Sequence, residues 1–129
     1  VHDLEHGSAF DMLYMVVQDF ITRGNLGAAE RALTHALKQS EDVGRLDSRL
    51  LELLDDVATR HCLRRDYAEA ERLYWIGLET RERVLGSNHP LISESLRKLE
   101  VILRHTRGKE AAMFLAFRAM SLSHSAVTA

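Results

Sequence analysis

The chain has 129 residues, 46% hydrophobic and 28% charged, with one proline and one cysteine, which is ordinary for a soluble helical domain with a continuous core. A net charge of −2 supplies no field for nucleic acid or an acidic membrane, and no apolar run approaches the roughly 20 residues that span a bilayer. One cysteine excludes an intramolecular disulfide and fits a reducing, cytoplasmic setting, while a start at Val1 fits a piece of something longer.

Residues 1–7 read as a flexible leader. Ser8 with Asp11 reads as the cap of a first helix that reaches Arg23, where Gly24 and Asn25 turn the chain. Phe10, Leu13, Val16, Val17 and Phe20 make its apolar face and leave Tyr14, Gln18 and Thr22 on another. A second helix runs from Leu26 to Ser40, and Gly44 with Asp47 or Ser48 marks the next junction. The third helix carries Leu50, Leu51, Leu54, Val57 and Ala58, and ends near Arg64. At the fourth, Asp66 and Glu69 have the spacing of a capping box. Ala70, Leu73, Tyr74, Gly77 and Leu78 then recur at three- and four-residue steps. Gly86 can take the left-handed conformation that stops this helix, and Pro90 is pre-set for the first turn of the next. The fifth helix spans Leu91 to about Thr106, the sixth Gly108 to about Ser123, and residues 124–129 read as a disordered tail.

These helices repeat. Asn25–Leu37 aligns with Asp66–Leu78 at an offset of 41, placing Ala29 on Ala70, Glu30 on Glu71 and Leu37 on Leu78. Gly108–Met120 aligns with the same stretch at an offset of 42, placing Ala112 on Ala70 and Leu115 on Leu73. The preceding helices match as Leu13, Val16, Phe20; Leu54, Val57, His61; and Leu96, Leu99, Leu103. The pattern of small and large apolar residues, with AEAERLY followed by RERVLGSNHPLI, resembles tetratricopeptide repeats (TPRs) of the longer kinesin light chain variety, which also occurs in many bacterial regulators. The first pair has a degraded junction, and in the third Glu100 occupies the slot where helices cross on a small residue. The resemblance implies an all-α, right-handed superhelical solenoid of six to seven helices, one domain over residues 8–123, with repeats at about 8–43, 47–86 and 90–123. It also implies a non-enzymatic scaffold.

In that family the first helix of each pair lines a concave groove for a protein or peptide partner. Carried over, the groove residues are Tyr14 and Gln18; Glu52, Asp55 and Thr59; and Arg97, Val101, Arg104 and His105. This groove is acidic at one end and mixed to basic at the other, so it would orient a peptide by charge. A clamp for a partner's terminal carboxylate is disfavoured. Its slots read Tyr14, Gln18, Asp55 and Asp56, and only Lys98 fits.

No cofactor, metal or catalytic set is expected. Cys62 and His105 could face each other, but two ligands fall short of the three or four that zinc takes. His61 fills an aromatic packing slot, and its adjacency to Cys62 makes no dyad because helix neighbours point about 100° apart. Phosphate loops and nucleophile elbows are not seen. In the sixth helix, Ala112, Leu115, Ala119 and Met120 are assigned inward, leaving Met113, Phe114 and Phe117 over as an apolar patch. The alternatives to a groove-binding scaffold are therefore a homodimerisation or assembly segment acting through this patch, and a peptide-sensing regulatory domain.

Overall fold

The computed structural model describes the backbone of residues 2–42 and 47–128, and side-chain surroundings within residues 10–42 and 47–122. Among the described residues six α-helices follow one another: α1 (His2–Thr22), α2 (Leu26–Asp42), α3 (Ser48–Leu63), α4 (Tyr67–Leu85), α5 (Pro90–Thr106) and α6 (Lys109–Thr128). No strand occurs among the described residues, and the fold is all-α with sequential helices packed in pairs. The chain divides into two compact units, 1–57 and 58–129, with the division inside α3.

In the first unit α1 packs on α2. Leu26, Ala29, Leu33, Ala36, Leu37 and Ser40 form the buried stripe of α2, spaced as one face of a 3.6-residue helix. On α1 the buried residues are Val17 and Ile21, while Leu13 and Phe20 are half-buried and Val16 is 48% exposed. The apolar face expected for this helix includes both Val16 and Val17. Neighbouring helical positions differ by about 100°, so a core centred on Val17 and Ile21 turns Val16 outward. Ser8, expected to cap the first helix, lies inside α1, and α6 continues past Ser123 to Thr128. Gly44 lies outside the described residues.

In the second unit α4 packs on α5, and α5 packs on α6. Ala70, Leu73, Tyr74, Gly77 and Leu78 are the buried face of α4, as their spacing requires, and Arg81 extends it. Ile92, Leu96, Leu99, Ile102 and Leu103 are its counterpart on α5, and Ala112, Leu115 and Ala119 on α6. The buried Arg81 donates to the Ser95 hydroxyl at 3.1 Å, which joins α4 to α5 by a polar contact within an apolar seam.

The helix ends explain the turns. After α1, Asn25 N–H bonds to Phe20 C=O at 2.8 Å and Gly24 N–H to Ile21 C=O at 3.0 Å, with Gly24 at φ 77°. This is the Schellman pattern. After α3 it recurs: Asp66 N–H reaches His61 C=O and Arg65 N–H reaches Cys62 C=O, both at 2.9 Å. The left-handed position is here occupied by Arg65 at φ 62°. Asn25 then caps α2 by accepting from Ala28 N–H at 3.2 Å.

Asp66, in the equivalent place, makes no side-chain cap bond, and the expected capping box does not form. Its carboxylate stands 3.6 Å from His61 Nδ1, while Glu69 accepts from Arg72 at 3.0 Å. The Asp66 backbone, at φ −92° and ψ 70°, is not in the extended conformation usual for a cap, and Arg72 engages Glu69. Asp47 does cap α3, accepting from Arg49 N–H at 2.9 Å. Gly86 ends α4 at φ 84° and ψ 160°, where φ is positive but ψ is extended, a region open essentially to glycine alone. His89 Nδ1 then accepts from Leu91 N–H at 3.2 Å, with Pro90 at the first turn of α5.

Candidate functional site

The residues assigned to the groove fall into two sets, one in each unit. In the first unit the Tyr14 hydroxyl accepts from Gln18 Nε2 at 3.1 Å. The Arg49 guanidinium lies 6.0 Å from the Tyr14 ring centroid. Arg49 also spans Asp11 (3.1 Å) on α1 and Asp47 (2.7 Å) at the start of α3, so it ties these two helices together. The two carboxylates raise the Arg49 pKa beyond its usual value, and the Arg49 bond holds Asp47 below the ordinary carboxylate range.

Glu52 is exposed on α3, but Asp55 is only 8% exposed, contrary to its place in the expected groove. The outer stripe of α3 is Arg49, Glu52, Asp56, Arg60 and Leu63, and Asp55 lies a quarter turn off it. Asp56 holds the outward position instead.

In the second unit Thr59 and Tyr74 share a hydroxyl hydrogen bond of 2.9 Å. Thr59 thereby fixes the tip of the buried Tyr74 against the last turns of α3. The remaining four residues are brought together. Arg97, Val101, Arg104 and His105 are all exposed along one side of α5, opposite the buried Leu96, Leu99 and Leu103. Val101 is 57% exposed between the two arginines. Arg104 bonds Glu100 at 2.6 Å, an i,i+4 pair in which the arginine is exposed and the carboxylate largely covered.

His105 stacks on Tyr67 with ring centroids 4.3 Å apart and planes 5° from parallel. Beside it, Glu71 accepts from Thr106 at 2.6 Å and from Arg107 at 2.9 Å, which clamps the end of α5 to α4. Tyr67, Glu71 and Arg107 were not singled out from the sequence. Their contacts join residues 35 to 38 positions apart, and no local spacing announces such pairs. Lys98 is half-buried at the edge of this face.

Cys62 is half-buried, and burial pushes its thiol pKa up, which keeps it a protonated and weak nucleophile at neutral pH. His61 is buried with neither ring nitrogen hydrogen-bonded. Met113, Phe114 and Phe117 stand on the outer side of α6 at 67%, 73% and 73% exposure. Met120, assigned inward from the sequence, joins them at 68%. The buried set Ala112, Leu115 and Ala119 is centred on the opposite side of the helix, so residues 113, 114, 117 and 120 share the outer one.

None of the helices is long and apolar enough to cross a membrane among the described residues. No curated protein matches the chain. Residues 50–91 match the family model described as tetratricopeptide repeat, of the kinesin light chain type. This span takes in α3 from Leu50, the whole of α4, the Gly86 stop and the Pro90 restart. Tetratricopeptide repeats form a non-catalytic module family that generally mediates the binding of protein partners. The chain thus carries a tetratricopeptide repeat, and α3 with α4 is that repeat.

Proposed function

We propose that the protein is a scaffold, not an enzyme, that holds a peptide or partner protein against the exposed side of α5. The observation that carries this reading is the row of Arg97, Val101, Arg104 and His105, which offers cations around an apolar centre on a helix pinned from behind. Such a row suits a peptide with an acidic residue flanking an apolar one. Tyr67 supports it by holding the His105 ring in one orientation, so part of the side-chain ordering that binding demands is already complete. Thr59 is a further candidate contact in the second unit, and Tyr14, Gln18 and Glu52 make a separate candidate face in the first, which the buried Asp55 leaves. The single cysteine favours a reducing, cytoplasmic setting.

We propose further that all three helix pairs are copies of one repeat, at about 8–43, 47–86 and 90–123. The Schellman turn at Gly24 and again at Arg65, 41 residues on, supports this for the first two.

The test is to pan a random peptide library against the chain and then measure affinity for an enriched peptide. Replacing both Arg97 and Arg104 with glutamate should weaken binding at least tenfold, and more at low salt, with helical content unchanged. Unchanged affinity would remove α5 from the binding face.

A further inference from the structure

We infer that the outer side of α6 is an isologous interface at which two copies of this chain pair, their α6 helices antiparallel about a two-fold axis at Phe117. Three observations point to a second copy rather than to another partner.

The first is symmetry. On the exposed stripe, Phe114 lies three residues before Phe117 and Met120 three residues after it. A two-fold axis at Phe117 therefore sets that ring against its own copy and each Phe114 beside the other copy's Met120. A sulfur–aromatic contact on each side of a stacked aromatic pair is favourable. The pattern is self-complementary, as an isologous interface requires.

The second is charge. In an isologous interface a charge close to the two-fold axis meets its own like, so the residues about Phe117 must be nearly uncharged. Between Ala111 and Leu122 the only charged residue is Arg118. Its guanidinium turns back to Glu82 on α4 at 2.6 Å. Nothing on the stripe from residue 111 to residue 122 repels a second copy, and the exposed Lys109 and Glu110 stand about one turn before Phe114.

The third is area. Phe114 and Phe117 at 73% exposure, with Met113 and Met120 at 67% and 68%, present on the order of 500 Å² of apolar side chain. Two copies would bury up to about 1,000 Å², the lower bound for a specific interface. The same stripe on a lone monomer is at the upper end of what such surfaces expose.

The experiment is light scattering on the purified chain over a concentration series reaching about 1 mM. The expected mass is twice the 14.7 kDa of the chain and reaches a plateau. Phe117→Glu should return it to a monomer with its helical circular dichroism intact, since the side chain it replaces is 73% exposed. Phe117→Leu should remain a dimer, and so should Val101→Glu, which alters only the exposed side of α5. A monomer at every concentration would overturn the inference, as would a dimer that survives Phe117→Glu. A mass that climbs without a plateau would overturn it too, because head-to-tail contacts, for instance through the exposed Met12 and Met15 of α1, do not close.

Discussion

Asp47 and Asp66 look alike in the sequence, each an aspartate one residue before a helix, yet only Asp47 caps. The difference lies in their neighbours. Arg49 orients the Asp47 carboxylate, whereas the Asp66 carboxylate is turned towards His61, which approaches from the helix before. A pattern of four letters cannot show that competition. Asp47→Ala should cost about 1 kcal/mol, and Asp47→Asn less, because asparagine keeps the acceptor for Arg49 N–H. The pH dependence has a definite sign. The folded pKa of Asp47 is lowered, so its contribution is present above the unfolded value near 3.9 and disappears as pH falls through the folded one. Urea midpoints of the parent and Asp47→Asn should therefore converge below about pH 4. Arg65 offers the opposite case. It occupies a left-handed position that Gly24 fills in the preceding turn, so Arg65→Gly should raise stability by about 1 kcal/mol in the same assay.

At the scale of elements, the helices were legible because the apolar periodicity of α2, α3 and α5 is strong. Leu73, Tyr74 and Leu78 were placed inward from spacing alone, and they are buried. The Gly86–Pro90 stop and restart was legible too, since glycine and proline restrict the backbone whatever surrounds them. What spacing could not fix was register on the weaker faces. Val16 and Met120 were both placed inward and both are exposed, each on a helix whose apolar residues extend around more than one side. Asp55 lies a quarter turn from the outer stripe of α3, on the side next to the buried Leu54 and Ala58. Gly86→Ala should lose about 1–3 kcal/mol from backbone strain alone, since an added Cβ would meet nothing within 4 Å. Leu99→Ala, at the buried centre of α5, should lose about 2–5 kcal/mol by thermal or urea unfolding.

At the scale of the molecule, the alternation of helix pairs and the family of the middle pair were written in the sequence, because a repeat needs only local patterning to be seen. The binding face was legible only in part. Arg97, Val101, Arg104 and His105 follow from helical spacing, but the Tyr67 ring that holds His105 and the Glu71 clamp depend on how α4 and α5 pack. The central claim is that a partner lies along the exposed side of α5. The most direct measurement is backbone amide shift mapping of the chain on titration with a peptide enriched from the library. Saturating shifts are expected, centred on Arg97, Val101, Arg104 and His105 and reaching Tyr67 through the stacked ring. Shifts that spare α5 and gather elsewhere, or a library from which no peptide is enriched, would contradict it.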